Sequence, residues 1–290
     1  MAAPVLIAAP TPRLERILFG TDFSEESLMV LPFASGIARM YGAKIYLCHV
    51  QADVPLSAGL AAPQLYEAAG KDIAEKLDAL RARPPLQGLD LKLVLASGTI
   101  RDEMPKIIRE NKIDLFVAGT RGRTGLSKML LGSVVEEICR VATCPILTVG
   151  QGLAIRTEDS FRNILFATNL SEMSKKALPY IALLAGKFGS RLTVLHVMPE
   201  DVAAAPDAKE ATESTRKTMM NAFDAALGGF QPEYVVAFGN TAETVLRVAR
   251  EKQAGLVALG IRNAFRPGIL RERTAYRIMA GAHCPVLTVP

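Results

Sequence analysis

The chain has 290 residues, half of them hydrophobic, with 34 basic and 29 acidic side chains for a net charge of +5. That length fits one large domain or two ordinary ones, each able to bury a sizeable core. A mild positive charge with no dense Lys/Arg run, and aromatics at only 6%, do not advertise a nucleic-acid stacking surface.

The opening stretch MAAPVLIAAPTPR lacks a basic n-region and is broken by Pro4 and Pro10. It reads as a loose tail rather than a signal peptide. Further on, no apolar run approaches the roughly 20 residues of a membrane span. The four cysteines, Cys48, Cys139, Cys144 and Cys284, are scattered and form no C-x-x-C. They read as buried thiols in a reducing cytoplasm. The expectation is a cytoplasmic protein with neither nucleic-acid nor membrane partners.

RILFGT (16–21) reads as a strand. Ser24, followed by Glu25 and Glu26, is good N-terminal chemistry for a helix running to about Met40. Pro32 falls inside that helix and predicts a kink. KIYLCHV (44–50) is a second strand, then a helix over about 64–81 carries Leu65, Ala68, Ala69, Ile73 and Leu77 near helical spacing. LKLVLAS (91–97) is the third strand. The next helix puts Ile100, Met104, Ile107 and Ile108 on one stripe. DLFVAG (114–119) is the fourth strand, VVEEICRVA (134–142) a helix with Ser133 as its N-cap, and PILTVG (145–150) the fifth strand.

The second half repeats these blocks in order. RILFGTDFSEESLMVLP (16–32) matches NILFATNLSEMSKKALP (163–179), and IYLCHV (45–50) matches LTVLHV (192–197). VLASGTIRDEMPKIIRENKIDLFVAGTR (94–121) matches VVAFGNTAETVLRVAREKQAGLVALGIR (235–262), and TCPILTV (143–149) matches HCPVLTV (283–289). Pro179 is the counterpart of Pro32, with the same expected kink. The boundary lies near the polar, glycine-bearing GQGLAIRTEDS (150–160), which divides the chain into residues 14–150 and 160–290. Apolar strands alternating with helices predict an α/β class: two tandem, doubly wound, five-stranded parallel-sheet domains, Rossmann-like in type.

Ligands of such sheets collect beyond the carboxyl ends of the strands. Those ends are Gly20, Thr21 and Asp22, then His49 and Val50, then Ala118 and Gly119. From Gly119 the chain runs GTRGRTGLSKMLLGS, a basic loop with Arg121, Arg123 and Lys128 that opens a helix at Gly132 and Ser133. Glycines let backbone approach a phosphate, and a helix start offers free N–H groups. The loop is neither G-x-x-x-x-G-K-[ST] nor G-x-G-x-x-G. By spacing alone a phosphate cradle and a turn shaped only by packing stand equal. Asp22 likewise reads as a ligand contact or a turn residue. His49 and His196 occupy equivalent strand ends and read as packed residues. His283 has no counterpart as a metal ligand.

The spacing Gly119, Gly122, Gly132, Ser133 resembles the ATP-binding branch of the universal stress protein family. So do ILF-T-(D/N)-(F/L)-S, the HV ending of the second strand and CP(I/V)LTV, in both halves. The resemblance covers nearly the whole chain and implies a tandem protein of that family, with the adenine nucleotide alpha hydrolase-like fold. It implies that Asp22 contacts the adenine and ribose end and that Val50 hydrogen-bonds adenine through its backbone. Gly119, Arg121 and Gly122 would border ribose and phosphates. Gly132, Ser133, Val134 and Val135 would hold the phosphates, with Gly20, Thr21 and Ala118 lining the strand ends beside them. The implied cofactor is ATP, or ADP or AMP, with Mg²⁺ accompanying the phosphates. The implied role is regulatory, in stress survival, with partner proteins reading the nucleotide state. A slow ATPase and a nucleotide-independent interaction module are the alternatives. The last strands of the two halves are expected to pair antiparallel about a pseudo-twofold axis, an internal pseudo-dimer, with homodimerisation of whole chains left open.

The second half departs from the motif. Asn169 replaces Asp22 and Asn263 replaces Gly122. Counting back from Cys284 puts Glu272 and Arg273 at the positions of Gly132 and Ser133. Glu272 would repel phosphate, and Pro267 stiffens the loop. Arg266, Arg271, Arg273 and Arg277 read as solvated surface ahead of a second anion site. The nucleotide motif is therefore expected intact in the first half and degenerate in the second.

Overall fold

The computed structural model describes residues 12–52, 62–120, 131–150, 160–261 and 274–290, with only the backbone of residues 62–66 and 133. In the first half, β1 (Arg16–Gly20) leads through α1 (Glu25–Leu28) and α2 (Leu31–Tyr41) to β2 (Lys44–Gln51). Then come α3 (Ala62–Arg81), β3 (Leu91–Ser97), α4 (Ile100–Glu110), β4 (Leu115–Gly119), α5 (Ser133–Val141) and β5 (Ile146–Val149). The second half runs β6 (Asn163–Ala167), α6 (Glu172–Lys175), α7 (Leu178–Phe188), β7 (Arg191–Met198), α8 (Glu200–Ala203) and α9 (Ala208–Leu227). It closes with β8 (Glu233–Phe238), α10 (Thr241–Glu251), β9 (Leu256–Gly260), α11 (Thr274–Gly281) and β10 (Val286–Val289).

The ten strands among the described residues join one sheet in the order β3-β2-β1-β4-β5-β10-β9-β6-β7-β8. Pairings within each half are parallel, whereas β5 and β10 pair antiparallel with Leu147 opposite Leu287. The Thr148 hydroxyl donates to the Val286 carbonyl at 3.3 Å, and the Thr288 hydroxyl to the Ile146 carbonyl at 3.4 Å. These reciprocal bonds mark the expected pseudo-twofold axis. The pairing also covers two apolar edges that would otherwise template association.

The strands read as continuous apolar runs because both faces are buried. Ile17 and Phe19 point into one core with α2, α3, α7 and α9. Leu18 points into the other, with α4, α5, α10 and α11. Each core runs through both halves. Across the junction Phe33 of α2 meets Phe161, which stacks on Phe188 of α7, with ring centroids 5.4 and 4.4 Å apart.

The kinks expected at Pro32 and Pro179 interrupt the helix ahead of each proline, although Met29 and Val30, like Lys176 and Ala177, keep right-handed helical backbone angles. One helix was expected in each place, but α1 and α2 are separate, as are α6 and α7, with the proline in the first turn of the second helix. Proline has no N–H for the carbonyl of residue i−4 and its ring collides with that group, so the earlier helix stops. The N-cap expected of Ser24 holds: its side chain accepts from the Ser27 N–H, as Ser171 does from Ser174.

Candidate functional site

In each half the strand order reverses beside the first strand: β2 and β4 flank β1, and β7 and β9 flank β6. Connections from the two flanking strands leave on opposite faces, which opens a crevice at the carboxyl ends.

The turn leaving β1 is braced by hydroxyls. The Thr21 and Ser27 hydroxyls lie 2.9 Å apart, and the Phe23 N–H donates to Thr21 Oγ1 at 2.9 Å. Phe23 thereby holds a left-handed φ of 63°, an uncommon conformation for a bulky residue. Its ring lies 4.8 Å from that of His49. His49 Nδ1 donates to the Thr21 carbonyl at 2.8 Å, which fixes the tautomer. His49 is thus a brace for the turn, in keeping with its reading as a packed residue. Asp22 Oδ1 accepts from the Ser24 N–H at 3.0 Å and from its hydroxyl at 2.5 Å, so Asp22 organises this turn while standing at the crevice.

The second half builds the same turn. Thr168 Oγ1 donates to Ser174 Oγ at 2.9 Å and accepts from the Leu170 N–H at 3.0 Å. Leu170 has φ 60°, and His196 Nδ1 donates to the Thr168 carbonyl at 2.9 Å. Asn169 accepts from Ser171 as Asp22 does from Ser24. Ser27 and Ser174 were not singled out from the sequence, although the repeated SEES and SEMS carry the signal.

Val50 extends past the end of β1, whose last paired residue, Gly20, stands opposite Cys48. The Cys48 carbonyl accepts from the Thr21 N–H at 3.0 Å. By the alternation of a strand, the backbone of Val50 faces the same side, where β1 has ended. Ala118 and Gly119 are buried at the end of β4. The chain leaves the sheet at Thr120, whose N–H donates to the Val149 carbonyl at 2.9 Å. It returns at Gly132, whose N–H donates to the Thr120 carbonyl at 2.8 Å. Arg121, Gly122, Arg123 and Lys128 lie between these points, outside the described residues.

Gly132, not Ser133, is the N-cap of α5, with φ −63° and ψ 148°, and Ser133 is the first helical residue. Glycine already supplies the extended backbone of a cap, and its carbonyl accepts from the Glu136 N–H at 3.0 Å. Gly132 has no side chain with which to cap the first N–H groups of α5, the groups that a helix start can offer to an anion. Val134 is exposed on this turn, whereas the side chain of Val135 is buried in the core and only its backbone can serve a ligand.

In the second half a cleft of about 250 Å³ opens between Thr168, Asn169, His196, Val197, Thr241 and Thr274. Gly260, the counterpart of Gly119, is dictated by packing: a Cβ there would overlap the backbone of Met173 and Ser174 in α6. Arg262, Asn263, Arg266, Pro267, Arg271, Glu272 and Arg273 lie outside the described residues. Arg277 Nη2 pairs with Glu243 at 2.9 Å. In the first half the signs are exchanged, with Arg101 of α4 on Glu137 of α5 at 2.7 Å.

Burial pushes the thiols of Cys48, Cys139, Cys144 and Cys284 up to about 12, and none is in a disulfide. No described helix is long and apolar enough to cross a membrane. Among the described residues no three His, Cys, Asp or Glu side chains converge to hold a metal ion.

The model of the universal stress protein family matches residues 13–150 and again 160–290. A universal stress protein of Mycolicibacterium smegmatis is 25% identical over 285 residues, covering 94% of this chain and 96% of that one. Another, of Methanocaldococcus jannaschii, is 32% identical over 139 residues, 47% of this chain and 81% of its own length. Among solved structures, a universal stress protein from Archaeoglobus fulgidus shares the fold, with a TM-score of 0.71 at 20% identity over 94% of this chain and 97% of that one.

Proposed function

The chain belongs to the universal stress protein family, and on that premise we propose that its first half binds ATP, or the related ADP or AMP, at the carboxyl ends of β1 and β4. The observation that carries this is the start of α5. A helix N-terminus capped by Gly132, without a covering side chain, stands at the end of a glycine-bearing basic loop and one hydrogen bond from the end of β4. Its N–H groups and the positive end of its dipole suit phosphate oxygens.

In this reading Gly132, Ser133, Val134 and Val135 hold the phosphates by backbone N–H groups, with the Ser133 hydroxyl as a further donor. Arg121 and Gly122 border ribose and phosphates with Gly119. Val50 offers backbone to the adenine, and Asp22 meets the ribose end. Gly20, Thr21 and Ala118 shape the floor. Mg²⁺, where it accompanies the nucleotide, is held by phosphate oxygens and water. The role is regulatory, in stress survival in the cytoplasm, with the nucleotide state read by partner proteins. The second half carries a degenerate motif and is not a second equivalent ATP site.

The test is mass spectrometry of whatever leaves the purified protein on denaturation, with calorimetric titration of ATP into the stripped protein. Adenine nucleotide near one per chain, or saturable ATP binding, supports the reading. Neither release nor binding rejects it.

A further inference from the structure

The residue that precedes the Gly132 cap is held from the other half of the molecule. The Leu131 N–H donates to the hydroxyl of Tyr276 at 3.1 Å, with Leu131 4% and Tyr276 3% exposed. Tyr276 sits in the first turn of α11, and one turn further on Met279 lies with its sulfur 3.9 Å from Cys139 of α5. Side chains of the two helices thus meet across the junction between the halves. Leu131 and Gly132 are consequently fixed from two sides. Gly132 is tied to Thr120 within its own half, and Leu131 to Tyr276 of the other.

The arrangement is not a by-product of the repeat. The 140-residue offset between Cys144 and Cys284 puts Tyr276 at the position of Glu136. A phenol therefore stands in one half where a carboxylate stands in the other. A carboxylate accepts as well as a phenol does, but it brings a negative charge, which beside a phosphate site is unfavourable. Tyrosine accepts the hydrogen bond while remaining neutral.

We propose that Tyr276 of the second half is a positioning residue for the nucleotide site of the first. It holds the backbone at Leu131 so that the N–H groups opening α5 are set before phosphate arrives. The half whose own motif has drifted would then be a working part of the other half's site. This rests on the reading that the first half binds nucleotide.

The experiment compares Tyr276→Phe with Thr148→Val. The first removes the hydroxyl and keeps the ring. The second removes another buried bond between the halves, that from Thr148 to Val286 in the antiparallel pairing of β5 with β10. Calorimetry should show ATP binding about threefold to tenfold weaker in Tyr276→Phe and unchanged in Thr148→Val. Hydrogen exchange without nucleotide should quicken at the Leu131 to Val135 amides in Tyr276→Phe alone, whatever either variant does to the unfolding midpoint. Unchanged affinity in a folded Tyr276→Phe, or equal loss in both variants, overturns the proposal. If the wild-type protein binds no ATP, the nucleotide reading fails by itself. The exchange rates then decide the positioning claim, and unchanged rates in Tyr276→Phe overturn it.

Discussion

The backbone of Gly20 lies against the ring of Phe116. A Cβ built on Gly20 would stand 2.9 Å from Phe116 Cζ and 3.1 Å from Cε2, and that ring is fully buried. The matching positions in the second half hold Ala167 and Val257, a methyl group gained where a ring is lost. Packing thus explains Gly20 without a ligand. Gly20→Ala should cost about 1–2 kcal/mol by overpacking, and Phe116→Val a similar amount by leaving a cavity. Together they should be milder than their sum by about 1 kcal/mol. Urea denaturation of the two single variants and the double variant measures this, and simple additivity would remove the argument.

Gly132→Val places branched carbons at the cap of α5. Because φ there is −63°, the backbone accepts a side chain without strain, so the fold should survive. Nucleotide affinity should fall at least tenfold, about 1.4 kcal/mol. Calorimetry on a variant with an unchanged circular dichroism spectrum checks this. Undiminished binding would place the phosphates elsewhere.

Nucleotide binding should saturate near one per chain. A carboxylate at Glu272 near a phosphate opposes it by about 1 kcal/mol at 4 Å even in water, and by more in a cleft. The double variant Asp22→Ala with Gly132→Val should abolish binding. Equilibrium dialysis giving two equivalent sites, or a double variant that still binds, would show that the second half is a nucleotide site after all.

The four thiols should be inert in the folded protein. With each pushed up to about 12, only about one part in ten thousand is thiolate at pH 8. A disulfide reagent at that pH should label none of them natively and all four after denaturation. Rapid native labelling of any one would contradict the burial.

The folded pKa of these thiols lies above the ordinary value near 8.5. The unfolded chain therefore releases protons first as pH rises. Stability from this source is fully present below about pH 8.5 and is lost progressively as pH climbs towards 12. Unfolding midpoints should fall steadily across that window, and a flat profile from pH 8 to 11 would count against it.

Much of the molecule is legible in local pattern. Strand after strand announces itself by apolar runs of four to eight residues. The helix starts at Ser24 and Ser171 follow from an oxygen acceptor placed before acidic first turns. The doubling follows from matched blocks, and the pairing of PILTVG and PVLTVP, which the family resemblance implies, covers the two apolar edges that the doubling creates. Such features depend on neighbours within a few residues or on a repeat of known length, and the order of residues records both.

Other features needed distant segments brought together. The sequence marks Gly20 and Gly119 as ligand-facing glycines. Tertiary structure sets Gly20 against Phe116, which crowds a Cβ there, and Gly260, the counterpart of Gly119, against the backbone of α6, which excludes one, whatever binds nearby. Ser133 looks like a cap, yet Gly132 has the extended backbone a cap requires, and the return of the chain to Thr120 holds it there. Tyr276 carries no signal at all. Its partner Leu131 is 145 residues away, and its repeat counterpart is a glutamate, so neither periodicity nor self-similarity points to it. A hydrogen bond between a side chain and a remote backbone N–H leaves no mark on the identity of the backbone residue, and only the folded chain discloses it.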